Sequence, residues 1–239
     1  MRINVLGTNF DNVTMDEALD KAEALMQERR GAFVVTPNPE IVMLARENGK
    51  MAAAVDRADM VIADGIGVIY GAKILGTPLK QKLPGCDFAA LLMQRMAAKG
   101  QSVFLFGSKP SVAEQAAENL KEKFPGLVIA GSNDGYFTDD GPIVDKINAA
   151  KADLLLVCLG APKQEIWMHE HGKDLDVGLM IGAGGSMDVY AGVVERAPEA
   201  WQKAGMEWLY RLLKEPRRIG RMMKLPKFLL LVCGKRIRG

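Results

Sequence analysis

Short apolar runs alternate with amphipathic stretches along most of the chain. Several of these runs are continuously apolar, which is typical of strands in a parallel sheet that is covered on both faces. The predicted strands cover residues 33–36, 60–63, 103–106, 127–130, 154–159 and 177–181. With helices between them, this pattern predicts an α/β fold with a doubly wound, mostly parallel sheet of the Rossmann-like kind.

Capping residues mark the starts of the predicted helices. Thr14 and Glu17 have the spacing of a capping box, which opens an amphipathic helix that runs to about Arg29. Asn38 followed by Pro39 predicts the start of a second helix, because Pro is favoured at the first helical position. Further predicted boundaries are the end of that helix at residues 48–49, a helix from Asp87 to Gly100, and a helix over residues 110–123.

Charge is distributed unevenly along the chain. The whole chain carries +2, but its last 29 residues hold ten Lys and Arg against the single acid Glu215. That segment contributes +9, which leaves −7 for residues 1–210. The α/β pattern also ends near residues 195–197, so we predict a body over residues 1–195 and a basic helical appendage over residues 196–239. Basic residues interleaved with Met, Leu and Phe favour an anionic membrane surface as the partner.

Two other interpretations of the basic segment stay open. A frayed, solvated terminus would have the same composition, and a nucleic-acid binder would also carry positive charge. The segment lacks the interleaved aromatic side chains on which bases stack, so we do not expect nucleic acid as a partner.

Composition indicates an ordinary globular protein, with 49% hydrophobic and 25% charged residues. The longest apolar run of the basic segment, residues 228–233, is far shorter than the roughly 20 residues that span a bilayer. No signal-peptide pattern follows Met1, and the three cysteines have no disulfide or metal-site spacing. We therefore expect a cytoplasmic protein with reduced thiols, peripheral on the inner face of the cell membrane.

Segments rich in Gly and Pro follow the predicted strands, at the edge where ligands bind in open α/β sheets. They are residues 36–40, 64–67, 107–110, 160–165 and 182–185. Gly lets backbone amides approach a ligand and helix N-termini attract phosphate, so the five together predict a nucleotide site. Any one of them is also compatible with a tight turn. The dinucleotide fingerprint and the P-loop are both absent, which leaves a nucleotide-binding oxidoreductase as a remote alternative.

Asp64 is the sharpest catalytic candidate. It directly follows the apolar run at residues 60–63 and precedes Gly65, so its carboxylate is expected at the ligand edge of the sheet. A carboxylate in that position can accept a proton from an attacking hydroxyl. An aspartate there is also typical of a turn or a helix cap, and Asn38 carries the same ambiguity.

Metal ligation is not expected. Asp174 and Asp176 have the Asp-x-Asp spacing of a divalent-metal motif, but they precede the predicted strand at residues 177–181. They therefore lie at the amino end of that strand, away from the ligand edge. His169 and His171, two apart on a predicted helix, point in different directions.

Ordered motifs along most of the chain resemble the WecG/TagA/CpsF family of bacterial glycosyltransferases. The motifs are Thr36-Pro-Asn38, Ala-Asp64-Gly, Pro84-Gly-Cys-Asp87, Asp134-Gly135-Tyr136-Phe137, Gly160-Ala-Pro-Lys-Gln164-Glu165, Gly192-Val-Val-Glu-Arg196-Ala-Pro198 and the segment 207–221. The resemblance implies inverting, metal-independent transfer from a UDP-sugar to an undecaprenyl-diphosphate-linked sugar, with no cofactor. The most similar branch moves N-acetylmannosamine in wall teichoic acid synthesis. UDP-glucose or UDP-N-acetylmannosaminuronic acid stay open as donors, and a homo-oligomer is possible.

The resemblance also implies roles for individual residues. Asp64 would be the general base, while Thr36, Asn38 and Gln164 would line the catalytic pocket. The implied substrate-binding residues are Lys82, Gly107, Ser108, Tyr136, Pro162, Glu165, Gly184, Gly185, Asp188, Arg211, Arg218 and Arg221. Lys82 stands where family members commonly have Arg, and lysine keeps the charge without the bidentate geometry.

The basic segment has the spacing of an interfacial element. Its cations at 214, 217, 218, 221 and 224 would share one face of a helix. Pro216 and Pro226 are expected to divide the segment into short pieces. We expect these pieces to dock beside the ligand edge of the sheet, with the apolar residues 228–232 buried in the membrane interface.

Overall fold

A parallel sheet forms the centre of the molecule. The computed structural model describes the backbone of residues 1–216 and 219–238, and the side chains of these residues except 221, 222 and 238. Its strands are β1 (Arg2–Val5), β2 (Thr8–Asp11), β3 (Ala32–Val35), β4 (Met60–Val61), β5 (Ser102–Gly107), β6 (Val128–Asn133), β7 (Leu154–Cys158) and β8 (Leu179–Gly182). Strands β3 to β8 form one sheet in the order β4-β3-β8-β7-β5-β6, and all neighbours are parallel. The six predicted strands and their parallel arrangement are confirmed.

Helices cover both faces of this sheet, as expected for a doubly wound fold. They are α1 (Met15–Glu28), α2 (Pro39–Glu47), α3 (Gly49–Arg57), α4 (Ile66–Ile74), α5 (Gly85–Ala97), α6 (Val112–Lys123), α7 (Gly141–Ala150), α8 (Lys163–His171), α9 (Ser186–Tyr190), α10 (Glu199–Lys203), α11 (Glu207–Lys214), α12 (Ile219–Met222) and α13 (Lys224–Arg238). Helices α1, α5, α6 and α9 bury apolar side chains on one face. Helices α2, α3, α4, α7, α8 and α13 bury theirs on the other face.

The predicted helix starts are confirmed at α1 and α2 and wrong at α5. Thr14 and Glu17 form the expected reciprocal capping box. The Oδ1 atom of Asn38 accepts a 3.0 Å hydrogen bond from the amide of Ile41. Helix α5 begins at Gly85 instead of Asp87, because Asp87 lies in the first turn and pairs with Arg196 rather than capping the helix.

The hairpin of β1 and β2 and the helix α3 are additions to the predicted elements. Strands β1 and β2 form a separate antiparallel hairpin through Leu6 and Gly7, both of which have positive φ values, 52° and 102°. Asn48 ends α2, as predicted, but it also caps α3 by accepting hydrogen bonds from the amides of Lys50 and Met51. A second helix, α3, therefore follows at once.

The last helix corrects two expectations. Pro226 does not interrupt α13, because it lies in the first turn, where backbone amides have no acceptor within the helix. Phe228 and Val232 are fully buried against α4 and are therefore not available to a membrane. Close contact is possible because α4 carries Gly71, where an added Cβ would lie 2.8 Å from the Phe228 ring. Leu230, by contrast, is 74% exposed.

Candidate active site

A cleft of about 300 Å³ opens at the carboxyl ends of β3, β4, β7 and β8. These ends meet at one edge because the four strands are parallel and three of the pairs are direct neighbours. The cleft brings together half of the predicted site residues: Thr36, Asn38, Asp64, Lys82, Gln164, Gly184, Gly185 and Arg211. The cleft therefore opens at the edge of the sheet where the sequence predicts a ligand site.

Asp64 lies three residues beyond β4, and its backbone amide donates a 3.1 Å hydrogen bond to the carbonyl of Pro37. Gly65, with φ of 89°, then turns the chain into α4, a conformation that favours glycine. This turn leaves the Asp64 carboxyl in the cleft beside the amide of Gly85.

The surroundings of Asp64 suit a base. Burial raises the pKa of its carboxyl to about 6. The nearby Glu207 raises the pKa further, while the Gly85 amide, Arg211 and Lys82 lower it. A carboxylate with a pKa near 6 is mostly ionised at neutral pH and is more basic than an ordinary aspartate, which favours proton abstraction.

Thr36 and Asn38 line the cleft from the end of β3. The Thr36 hydroxyl donates a 3.0 Å hydrogen bond to the carbonyl of Gly182, so its oxygen can only accept from a ligand. Asn38 caps α2, which is the structural role that the sequence left open for it. Capping uses only its Oδ1 atom, and Asn38 also lines the cleft. The two roles of Asn38 are compatible.

Gln164 is held in one orientation by three hydrogen bonds. Its Oε1 atom accepts from the amides of Gly160 and Gly184, at 3.2 and 3.0 Å. Its Nε2 atom donates to Oε1 of Glu165 at 2.8 Å. Gln164 is only 2% exposed but reaches the cleft, whereas Glu165 is completely buried behind it. Burial raises the pKa of Glu165 to about 7.

The segment after residue 195 forms one wall of the cleft with Arg196, Gly205, Glu207, Trp208, Arg211 and Leu225. Arg211 donates a 2.8 Å hydrogen bond to Glu207, one helical turn earlier on α11. Arg196 forms a two-point ion pair with Asp87. Arg196 and Glu207 are not among the predicted site residues, although both lie in the motifs quoted above. Their position in the cleft depends on tertiary packing, which the sequence does not display.

Comparison with known proteins identifies the family. The profile of the Glycosyl transferase WecG/TagA/CpsF family matches residues 3–239. The chain belongs to this family. The resemblance noted from the strand-end motifs is therefore confirmed over almost the whole chain.

Two relatives carry the same name, N-acetylglucosaminyldiphosphoundecaprenol N-acetyl-beta-D-mannosaminyltransferase. The one from Bacillus spizizenii is 38% identical over 207 residues, which cover 87% of this chain and 80% of the relative. The one from Staphylococcus aureus is 33% identical over 234 residues, which cover 97% of this chain and 92% of the relative. The similarity to the Staphylococcus relative is long enough to include most of the basic segment as well as the sheet.

Four other predicted residues lie at the carboxyl ends of β5 and β6 and after β8, outside the lining of the cleft: Gly107, Ser108, Tyr136 and Asp188. The Ser108 hydroxyl donates a 2.6 Å hydrogen bond to Asp188, and the Ser108 carbonyl accepts from Gly135. Gly107 lies so close to β7 that an added Cβ would be 2.4 Å from the backbone of Cys158. Tyr136 is 69% exposed. Their substrate-binding role in this family member stays a prediction.

The remaining predicted residues divide into two groups. Pro162 precedes α8 and is next to Gly160 and Ala161, which line the cleft. Glu165 does not line the cleft and instead accepts a hydrogen bond from Gln164, which does. Arg218 lies outside the described residues. The backbone of Arg221 belongs to α12, but its side chain also lies outside the description.

Within residues 1–216 and 219–238, no group of three or more His, Cys, Asp and Glu side chains has the arrangement of a metal site. Asp176 instead pairs with Arg29 at 3.0 Å. In the same part of the chain, every helix is too short or too polar to cross a membrane.

Proposed function

We propose that this protein is an inverting glycosyltransferase that transfers N-acetylmannosamine from UDP-N-acetylmannosamine to N-acetylglucosaminyl-diphospho-undecaprenol, in wall teichoic acid synthesis. The observation that carries the proposal is the Asp64 carboxyl in a cleft that also contains the cations Lys82, Arg196 and Arg211. The names of the Bacillus and Staphylococcus relatives state this acceptor and this sugar, and they support the choice.

The chemistry follows from the position of Asp64. A hydroxyl of the acceptor sugar attacks the anomeric carbon of the donor from the face opposite UDP, and its proton passes to the Asp64 carboxylate. The bond between that carbon and the β-phosphate oxygen breaks, and its electron pair leaves with UDP. Attack from the opposite face inverts the configuration at the anomeric carbon.

Cations in the cleft stabilise the departing diphosphate. Lys82 and Arg211 lie close enough to Asp64 to lower its pKa, so they are also near the bond that breaks. Preorganised charges of this kind act without a metal ion, and loss of one contact typically costs about a hundredfold to a thousandfold in rate. Thr36, Asn38 and Gln164 hold the sugar hydroxyls in the same cleft.

Residues 196–239 work as an appendage that completes the site at a membrane surface on the cytoplasmic side. Six residues of this segment line the cleft, which supports its part in the reaction. Exposed Leu213, Met223, Leu230 and Ile237 accompany its basic residues, a combination that suits an anionic lipid interface. Liposome sedimentation tests this: the protein is expected to sediment with anionic liposomes and to stay in the supernatant with zwitterionic ones. Leu230→Glu is expected to weaken binding to the anionic liposomes.

A donor panel tests the proposed reaction. Purified protein is incubated with a short-chain lipid-diphosphate-linked N-acetylglucosamine and, separately, with UDP-N-acetylmannosamine, UDP-glucose or UDP-N-acetylmannosaminuronic acid. We expect a disaccharide product with UDP-N-acetylmannosamine, and transfer that is about a hundredfold to ten-thousandfold slower from that donor when Asp64→Asn replaces the wild type. Faster transfer from either of the other donors would refute the assigned sugar, and no product from any donor would refute the function.

A further inference from the structure

Glu207 bridges two arginines in the wall of the cleft. Its Oε1 atom accepts a 2.8 Å hydrogen bond from Nη2 of Arg211, and its Oε2 atom lies 3.8 Å from Nη2 of Arg196. Arg196 in turn pairs with Asp87 in the first turn of α5. A chain of alternating charges therefore runs from the body of the protein to α11, with Glu207 at its centre.

Both arginines keep an unused donor. Within the described residues, the Nε atoms of Arg196 and Arg211 are buried and have no hydrogen-bond partner. Buried donors are rarely left unpaired in proteins, so such atoms indicate a missing acceptor. The oxygens of a diphosphate are suitable acceptors for guanidinium groups.

Asp64 lies in the same cleft as this pair. The charged residues that line the cleft around it are Glu40 on α2, Lys82 before α5, Arg196 before α10, and Glu207 and Arg211 on α11. Arg211 already lies close enough to Asp64 to lower the pKa of its carboxyl, so an Arg211 released from Glu207 has Asp64 within its electrostatic reach. An ion pair with Arg211 would stabilise the carboxylate of Asp64 and make it a weaker base.

We propose that Glu207 is a positioning residue that holds Arg196 and Arg211 on its two carboxylate oxygens and prevents Arg211 from pairing with Asp64. The inference rests on the proposed function, because it assigns both arginines to the diphosphate and Asp64 to the acceptor hydroxyl. Glu207 touches neither reacting atom. It acts through the arginines and through its charge.

Two substitutions separate charge from length. Glu207→Gln keeps the length but removes the charge. Glu207→Asp keeps the charge and is expected to keep the pair with Arg211, one turn along α11, but it is too short to reach Arg196 as well. We expect kcat to fall about tenfold to a hundredfold in both, the range typical of a small misplacement of catalytic groups. Only Glu207→Gln is expected to move the acid limb of the pH profile of kcat/KM to lower pH, by up to about one pH unit, because only this variant removes the negative charge near Asp64.

An NMR titration tests the same inference without relying on transfer. Aspartate carboxyls are labelled with ¹³C, and the Asp64 signal is assigned by its absence in Asp64→Asn. Its titration midpoint is expected to fall in Glu207→Gln and to stay at the wild-type value in Glu207→Asp. Glu199→Gln is the matched control, since Glu199 is exposed on α10 and pairs only with Lys203 in the described contacts. It should change neither midpoint nor kcat.

The outcomes separate this inference from the proposed function. An unchanged Asp64 midpoint in a folded Glu207→Gln variant overturns the inference, whether or not the protein transfers a sugar. Wild-type kcat in both Glu207 variants overturns it as well. If the wild type transfers no sugar but the midpoint falls as expected, the positioning role of Glu207 stands and the proposed reaction is wrong.

Discussion

Glu165 accepts a 2.8 Å hydrogen bond from Gln164 through one carboxyl oxygen, while its second oxygen is buried without a partner among the described residues. Burial raises the pKa of Glu165 from 4.5 to about 7. Between these values the native protein holds a proton that the unfolded chain releases. The free energy of unfolding therefore falls as pH rises through this window.

The substitution Glu165→Gln is expected to remove this pH dependence. The amide keeps an acceptor for Gln164 and carries no charge, so it avoids a burial cost of about 3 kcal/mol that the wild type bears above pH 7. Urea unfolding at pH 5 and pH 8 measures the difference. The variant should gain stability relative to the wild type at the higher pH, and an equal difference at both pH values would contradict the buried, titrating carboxyl.

The substitution Asp64→Asn is expected to reduce transfer about a hundredfold to ten-thousandfold, because an amide cannot accept the proton of the acceptor hydroxyl. UDP binding, followed by isothermal titration calorimetry, should stay close to the wild-type affinity. In the wild type, activity should fall below about pH 6, where Asp64 becomes protonated. Asp56→Asn, on the exposed side of α3, is the control with the same chemical change. Transfer within threefold of the wild type in Asp64→Asn would remove Asp64 from the mechanism.

Transfer is expected to continue in the presence of EDTA. The reason is that Lys82 and the arginines of the cleft provide the positive charge that a metal ion would otherwise supply. Initial rates in EDTA, Mg²⁺ and Mn²⁺ check this. Activity that disappears with EDTA and returns with either cation would show that the protein residues alone are not sufficient.

Phe228→Ala is expected to destabilise the fold by about 3–5 kcal/mol, the range for loss of a buried phenylalanine. Phe228 is fully buried against α4, so its removal leaves a cavity. Leu230→Ala serves as the control, because Leu230 lies two residues away on the same helix and is 74% exposed. Chemical denaturation should show a large change for the first variant and a small one for the second. Similar changes would mean that α13 does not pack as described.

The sequence predicts the sheet and the edge at which the cleft opens, because continuous apolar runs and strand-end glycines are local signals. Asp64 can be identified for the same reason, since it directly follows such a run. The hairpin of β1 and β2 escapes prediction because its turn is Leu6-Gly7 rather than a typical Asn-Gly pair. Helix α3 is not predicted because the sequence marks Asn48 only as the end of α2. In the structure Asn48 also caps the start of α3.

The wall of the cleft after residue 195 is harder to predict. Arg196 and Glu207 line the cleft only because the segment after residue 195 folds back onto the ends of strands that come much earlier in the chain. Phe228 and Val232 look like membrane anchors in the sequence, since an apolar side chain in a basic segment suits a lipid interface. Their burial depends on the glycine face of α4, which one-dimensional periodicity does not reveal.

The contact between Gly71 and Phe228 also has a consequence for the order in which the fold forms and opens. The two residues are far apart in sequence, so this contact closes a long loop and is expected to form after the local contacts of the sheet. We expect α13 to open locally before β7 and β8 separate, so its amides should exchange with solvent sooner than the amides of those strands. Leu225, at the start of α13, would leave the cleft at the same moment. Through Leu225, opening of the last helix is therefore expected to widen the cleft.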